Sequence, residues 1–337
     1  MTLRAALEGA ASGQALSAAG MRAAMETILE GAATPVEIAG FAMALRVRGE
    51  TAEEIGAAAR VMRDRCVRVD AGASIVLDTC GTGGDSAGTW NLSTVAAIVA
   101  AACGIVVAKH GNRALSSKAG SADVLEALGV DVTAPPERAQ RCLREVGIAF
   151  LFAPAHHPAL RHAAVARKEL GVRTFFNLLG PLANPAFATH QLVGIYDPAR
   201  LLMYAEVLRG LGTKRAIVVH GHGGLDEVSP TGPTRAVDLR DGRITETELR
   251  PEDFGLRPVG TEALRGGDAA ENAAILRAVL NGESGPRRDA AVLSSAAALV
   301  AAEVTDDRRE AAERAATAID SGAARRKLDE WIRASRA

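Results

Sequence analysis

The stretch that decides the fold of this 337-residue chain is Leu77-Asp78-Thr79-Cys80-Gly81-Thr82-Gly83-Gly84-Asp85-Ser86-Ala87-Gly88-Thr89-Trp90-Asn91-Leu92-Ser93-Thr94. An apolar run precedes it and an alanine-rich segment, residues 95–102, follows it. A strand, a glycine turn and a helix start in that order predict an anion site. Glycines let backbone N–H groups approach a phosphate, and the helix start adds unpaired donors. Asn91, Ser93 and Thr94 stand where side chains cap a helix or reach a ligand.

The glycine pattern by itself has low specificity. It matches neither the dinucleotide fingerprint nor the Walker phosphate loop, and it is also compatible with a turn that needs glycine for geometry alone. Asp85 and the polar cluster at residues 91–94 favour phosphate binding.

Composition sets limits on the protein class. The chain is 48% hydrophobic and 23% charged, which is typical of a globular protein, and its length allows two domains. A net charge of −1 implies no general attraction to nucleic acid or anionic membranes. Four widely spaced cysteines predict neither a zinc site nor a disulfide framework and suit the cytoplasm. Residues 92–108 are apolar, but Gly104 divides them into a helix and a strand, so no membrane span is expected.

The chain changes pattern near residue 70. Residues 1–70 read as helices, with capping boxes at Thr34-Pro35-Val36-Glu37 and Thr51-Ala52-Glu53-Glu54. Residues 71–337 alternate short β-branched runs with helical segments, and Asp241-Gly242 joins the two strands of a hairpin. The predicted fold class is α/β: a small all-helical domain plus a larger α/β domain with a mostly parallel central sheet flanked by helices. Strands are expected at residues 75–77, 105–107, 148–152, 192–195 and 216–219.

Ligands of such sheets bind at the carboxyl ends of the strands, where two further motifs fall. Residues 108–123 hold three cations and three serines in one loop, a composition suited to a polyanion. The alternatives are a solvated loop and, for His110 alone, a local backbone hydrogen bond. Asp226 and Glu227 follow another strand, either as an exposed turn or as a Mg²⁺ site. The histidines at 156, 157, 162, 220 and 222 lack the spacing and partners of a zinc site.

Together these motifs resemble the anthranilate phosphoribosyltransferase family collinearly over nearly the whole chain. The resemblance rests on Gly81–Asp85, residues 91–94, residues 109–123, Asn177-Leu178-Leu179-Gly180-Pro181-Leu182-Ala183-Asn184-Pro185 and Leu225-Asp226-Glu227. It implies a nucleoside phosphorylase-like fold whose helical domain receives a returning segment near residues 172–190. That segment would let the helical domain close over the site. A homodimer through the helical domain is also implied.

The resemblance implies transfer of the phosphoribosyl group of 5-phosphoribosyl 1-pyrophosphate (PRPP) to the amine of anthranilate, the second step of tryptophan biosynthesis from chorismate. It places PRPP against Gly81, Gly84, Asp85, Thr89, Asn91, Leu92, Ser93, Thr94, Lys109, His110, Gly111, Asn112, Arg113, Ala114, Leu115, Ser116, Ser117 and Ser121. Mg²⁺ falls to Ser93, Asp226 and Glu227, and anthranilate to Gly81, Asn112 and Arg167.

The implied chemistry needs no covalent intermediate. Lys109, Asn112 and Arg167 would act by positioning and charge stabilisation. Two alternatives stay open at this point: a pyrimidine nucleoside phosphorylase-like enzyme and a non-catalytic, nucleic-acid-binding relative. The net charge of −1 argues against the second, and the expected partners are small molecules, with neither nucleic acid nor membrane.

Overall fold

A computed structural model describes residues 2–83, 88–114 and 118–337. Its α-helices are α1 Leu3–Ala11, α2 Ala18–Leu29, α3 Pro35–Arg48, α4 Ala52–Asp64, α5 Leu92–Ala102, α6 Ser121–Leu128, α7 Pro136–Glu145, α8 Ala153–His156, α9 Arg161–Leu170, α10 Phe175–Leu179, α11 Leu201–Gly210, α12 Ala269–Leu280, α13 Pro286–Ala301, α14 Arg308–Asp320 and α15 Ala323–Arg336. Within the described ranges, none of these helices combines the length and apolar character needed to cross a bilayer.

One sheet organises the larger part of the molecule. Its strands are β1 Val76–Gly81, β2 Val106–Gly111, β3 Ile148–Phe152, β4 His190–Gly194, β5 Arg215–Gly221, β6 Thr234–Arg240 and β7 Arg243–Leu249. Their order is β3-β2-β1-β4-β5-β6-β7; β3 to β5 run parallel, and the β5–β6–β7 edge is antiparallel. Asp241 and Gly242 both have positive φ, as a tight hairpin requires. The predicted fold class is confirmed.

β1 and β2 continue well past the carboxyl ends that the sequence predicted. β1 continues to Gly81 and β2 to Gly111, so Lys109 and His110 belong to a strand rather than to the loop that follows it. The polar residues Asp78, Lys109 and His110 are buried there, which period and hydrophobicity alone do not foresee.

The amino-terminal helices share their core with later parts of the chain. Both predicted capping boxes are present, at Thr34 with Glu37 and at Thr51 with Glu54. Phe41 of α3 packs edge-on against Phe175 of α10, and α9 and α11 complete the layer. This core reaches one face of the sheet, and the α5–α13 layer covers the other face.

Residues 180–183, called here the anchored segment, connect the helical core to the sheet through their main chain. Four consecutive carbonyls each accept a hydrogen bond from the side chain of a different segment. The pairs are Gly180 with His110 Nδ1 (3.0 Å), Pro181 with Gln191 Nε2 (2.8 Å), Leu182 with Arg63 Nε (2.6 Å) and Ala183 with His157 Nε2 (2.9 Å). The sequence predicts a connection that lets the domains close here, and this stays a prediction.

Candidate active site

The carboxyl ends of β1 and β4 meet beneath the acidic loop that follows β5. Gly81 and Gly194 are paired across these strands, and a Cβ on Gly194 would stand 1.5 Å from the Asp226 carbonyl oxygen. A Cβ on Gly81 would stand 2.6 Å from Asp226 Oδ2. The two glycines therefore make room for the acidic loop. Asp226 Oδ2 also accepts the Gly83 N–H at 2.7 Å, which joins the acidic pair to the glycine turn.

The second acidic residue lies at the start of α5. Glu227 Oε1 accepts the Ser93 N–H at 3.1 Å, so a carboxylate occupies a helix N-terminus whose dipole favours negative charge. Asp226, Glu227 and the Ser93 hydroxyl offer only oxygen donors, the type that suits Mg²⁺. The described residues contain no cluster of three or more histidine, cysteine or carboxylate side chains arranged for a metal. A cation at this position would depend on hydroxyl, water or substrate oxygens as well as the two acids.

The Lys109 ammonium lies between β1 and the start of α5. Its side chain is almost completely buried, and Nζ donates to the Thr79 carbonyl at 2.6 Å and to Ser93 Oγ at 3.3 Å. Burial lowers the pKa of the Lys109 ammonium, and the charges of Asp78 and Glu227 oppose that change. The structure thus brings Lys109, Ser93 and Glu227 together, and it holds the ammonium within the fold rather than on a loop.

His110 faces the anchored segment. The Gly180 carbonyl can only accept, so Nδ1 carries the proton and Nε2 is left as an acceptor. That buried Nε2 has no hydrogen-bond partner in the described part of the chain. Burial, with the neighbouring His157, keeps the pKa of His110 well below its usual value. His110 therefore bonds to a backbone carbonyl, but not to the local one expected of it, because the acceptor lies 70 residues away.

The loop after β2 folds back on itself. Asp123 Oδ2 accepts the N–H groups of Ala114 and Gly120, and Asn112 Oδ1 accepts the Arg113 N–H. The Arg113 guanidinium pairs with Asp123 and Glu126, which raise its pKa. Ser121 Oγ approaches the position that a Cβ on Gly111 would take. The remaining predicted members of the phosphate loops, Gly84, Asp85, Leu115, Ser116 and Ser117, lie outside the described residues.

Four other predicted PRPP residues surround the start of α5. Asn91 precedes the helix, but its side chain does not cap it. Leu92 and Thr94 are buried, and Thr94 Oγ1 has no partner among the described residues. Thr89 forms an antiparallel bridge with Arg265. No sequence motif connects residue 265 with this turn.

Arg167 is half-buried on α9. Its guanidinium stands 5.6 Å from the centre of the Phe176 ring, and burial lowers its pKa. No ion pair to Glu169 or to any other described residue engages it. Its rivals differ: Arg161 is exposed, and Arg173 stacks on Tyr196 at 4.4 Å. Within the described ranges no recorded contact joins Arg167 to Gly81 or Asn112.

Sequence reasoning missed a buried carboxylate beneath these groups. Asp78 accepts the His110 N–H at 3.2 Å through Oδ1 and the Asn184 amide at 2.8 Å through Oδ2. Asn184 Nδ2 also donates to the Ala108 carbonyl. Burial raises the pKa of Asp78 to about 6 although Lys109 and Asn184 oppose the rise. An aspartate within an apolar strand run is the sequence signal that could have found it.

The comparisons with known proteins cover both parts of the chain. A family model described as the helical bundle domain of a glycosyl transferase family matches residues 4–66. The α/β domain model of that family matches residues 73–325. A curated anthranilate phosphoribosyltransferase of Petrotoga mobilis is 49% identical over 326 residues, which is 97% of this chain and 95% of the relative.

Solved structures agree with this match. The anthranilate phosphoribosyltransferase of Thermus thermophilus superposes with a TM-score of 0.93 at 46% identity, covering 98% of this chain and 99% of that one. The enzyme of Saccharomyces cerevisiae, solved in complex with PRPP and Mg, gives a TM-score of 0.90 at 30% identity, covering 99% and 98%.

Proposed function

The chain belongs to the anthranilate phosphoribosyltransferase family, and from that premise we propose that it transfers the phosphoribosyl group of PRPP to the amine of anthranilate. The products are N-(5-phosphoribosyl)anthranilate and pyrophosphate, in the second step of tryptophan biosynthesis from chorismate. One observation carries the proposal: Lys109 and Glu227 both bond to Ser93 at the start of α5, and Asp226 bonds to Gly83 at the carboxyl end of β1.

PRPP would bind across the glycine turn. The α5 N-terminus supports the assignment because it offers a dipole that favours anions. Residues 109–117 and Ser121 would complete the phosphate contacts. Of these, Arg113 would have to exchange its acidic partners Asp123 and Glu126 for a phosphate.

Ser93, Asp226 and Glu227 would hold Mg²⁺ together with the diphosphate. Bound there, the ion would neutralise charge on the leaving pyrophosphate. Lys109 would add a second positive charge from between β1 and the start of α5, where Thr79 and Ser93 fix its ammonium.

Anthranilate would be oriented by Arg167, with Asn112 and Gly81 nearer the reacting carbon. A guanidinium fork suits a carboxylate, and the lack of an internal ion pair at Arg167 within the described residues supports this role. The aniline nitrogen is a nucleophile at neutral pH without a strong base. The chain's task is then to position the amine and to stabilise negative charge as pyrophosphate leaves.

We also propose the assembly and the setting. Residues 1–70, with the returning segment near 172–190, would form one domain and residues 71–337 the other; the packing of Phe175 on Phe41 supports this division. The helical domain would form a homodimer, because Val36 and Val47 of α3 are 81% and 82% exposed. The enzyme would work in the cytoplasm on small molecules alone, with neither nucleic acid nor membrane as partner; the four free cysteines support this setting.

The direct test follows the fluorescence of anthranilate. We expect it to fall when the purified chain receives PRPP with Mg²⁺, and to stay constant when chelator replaces Mg²⁺ or when PRPP is omitted. Fluorescence that stays constant under all three conditions would contradict the proposed activity.

A further inference from the structure

Residues 263–267 run beside the turn that leads into α5. Trp90 N–H donates to the Leu264 carbonyl at 3.0 Å and its indole Nε1 donates to the Ala263 carbonyl at 3.0 Å. Gly266 N–H donates to the Gly88 carbonyl at 2.8 Å. The fit is close, because a Cβ on Gly266 would stand 2.7 Å from Trp90 N and 2.8 Å from Asn272 Oδ1.

Asn272 of α12 connects this segment to Asn91. It is 2% exposed, Oδ1 accepts the Gly267 N–H at 2.8 Å, and Nδ2 donates to Asn91 Oδ1 at 3.1 Å. A backbone N–H can only donate, so the oxygen of the Asn272 amide must face Gly267. Its NH₂ group must then face Asn91, and the group of Asn91 that meets it must be the oxygen.

Asn272, which is 181 residues away along the chain, therefore fixes the orientation of the Asn91 amide. With Oδ1 bound to Asn272, the Asn91 side chain does not cap α5, and its Nδ2 points away from Asn272. Nδ2 makes no hydrogen bond to a described residue. The Asn91 NH₂ group is therefore a donor at the start of α5, where an acceptor would repel a phosphate oxygen.

We propose that Asn272 is a positioning residue for PRPP: it holds the Asn91 oxygen so that the Asn91 NH₂ group faces the negatively charged substrate. The inference rests on the proposed function, since it takes PRPP as the ligand of this turn. Asn272 acts through Asn91 and has no role of its own in contacting the substrate.

Asn272→Asp separates this role from simple packing. Aspartate keeps the shape and still accepts the Gly267 N–H, but its second oxygen also accepts. The Asn91 amide must then reverse, which turns its oxygen toward PRPP. Asn272→Ala instead leaves the Asn91 amide unrestrained in either orientation, so its effect is smaller.

The experiment is a double-mutant cycle on the full chain, with the dissociation constant of PRPP and Mg²⁺ measured by calorimetry without anthranilate. We expect Asn272→Asp to weaken PRPP binding at least tenfold in the wild-type background and less than twofold in an Asn91→Ala background. Asn272→Ala should lose less PRPP affinity than Asn272→Asp. KM for anthranilate should stay unchanged in both variants. Thermal melting checks that each variant is folded.

An equal loss in both backgrounds would overturn the inference, because the added charge or a general distortion would then act without Asn91. A larger loss for Asn272→Ala than for Asn272→Asp would overturn it as well. If Asn272→Asp does not fold, the cycle with Asn272→Ala decides. The loss of PRPP affinity that Asn272→Ala causes must also vanish in the Asn91→Ala background. A wild-type chain that fails to bind PRPP would contradict the proposed function itself, which is a separate result.

Discussion

Lys109 is a cation that the fold buries at the base of the candidate site. Its ammonium is fixed by the Thr79 carbonyl and the Ser93 hydroxyl. Charge-assisted bonds of this kind contribute about 1.5–3 kcal/mol. We expect Lys109→Met to raise KM for PRPP at least tenfold and KM for anthranilate much less, as measured by steady-state kinetics. The matched control is Lys214→Met, because Lys214 is exposed and precedes the amino end of β5, opposite to the end that leads to Asp226. Equal changes in KM for PRPP and KM for anthranilate in Lys109→Met would contradict the assignment.

Arg167 is the residue from which we expect recognition of the acceptor. Arg167→Ala should raise KM for anthranilate at least tenfold, about 1.4 kcal/mol, with little change for PRPP. Arg161→Ala and Arg173→Ala provide the comparison, because the first side chain is exposed and the second stacks on Tyr196. If KM for anthranilate is unchanged in Arg167→Ala, Arg167 does not recognise the acceptor.

Asp78 gives the molecule a pH dependence of its own. Its folded pKa of about 6 exceeds the usual 3.8, so the folded state keeps the proton longer than the unfolded state. The stability that this proton contributes is present below about pH 4 and is lost as pH rises through 6. Urea unfolding from pH 4 to 7 should show the wild-type advantage over Asp78→Asn shrinking by on the order of 3 kcal/mol. A constant difference across this range would show that Asp78 does not titrate as described.

The side chains that the sequence could place are those whose chemistry is local to a motif. Asp226 and Glu227 follow a strand, and Lys109 follows a β-branched run, so each was predicted near the sheet edge. Asp78, Asn184 and Asn272 were not predicted, because each acquires its role from a partner about 30 to 180 residues away. Hydrogen-bond direction at such pairs depends on the folded geometry and leaves no trace in sequence spacing.

At the scale of elements, the prediction worked where periodicity or turn chemistry is strong. The capping boxes of α3 and α4 and the Asp241-Gly242 hairpin are confirmed. The ends of β1 and β2 were placed too early, because polar residues normally mark a strand's end. Here Asn184 and the His110 N–H satisfy Asp78, and Thr79 and Ser93 satisfy Lys109, so both strands continue.

The two capping boxes make a matched pair for a stability test. Glu54 is fully buried, accepts the Leu16 and Thr51 N–H groups, and pairs with Arg48; Glu37 fills the same position on an exposed helix start. Glu54→Ala should destabilise the chain by about 3–5 kcal/mol, because it leaves the Arg48 charge largely buried without its partner. Glu37→Ala should cost about 1 kcal/mol. If chemical unfolding shows equal losses of unfolding free energy in Glu54→Ala and Glu37→Ala, the buried ion pair adds no stability to the cap.

At the scale of the whole molecule, the proposed dimer depends on the outer face of α3. Val36 and Val47 lie on one side of this helix and are the most exposed large apolar side chains recorded for the described residues. Val36→Asp with Val47→Asp should convert a dimer to a monomer in analytical ultracentrifugation. Leu202→Asp on α11, which is 46% exposed, should leave the mass unchanged. A double variant that sediments as the wild type would place the interface elsewhere.

The anchored segment has a consequence for how this protein can change during evolution. The atoms that hold it are main-chain oxygens, which no substitution at positions 180–183 can delete. The side chains that keep the helical core on the sheet at this segment are therefore those of Arg63, His110, His157 and Gln191, four positions far apart in the sequence. Substitutions within residues 180–183 keep these carbonyl acceptors, whereas a single substitution at one of the distant donors leaves a buried carbonyl without its partner. A mutational scan should accordingly record the greater loss of fitness at the donors than at the residues they hold.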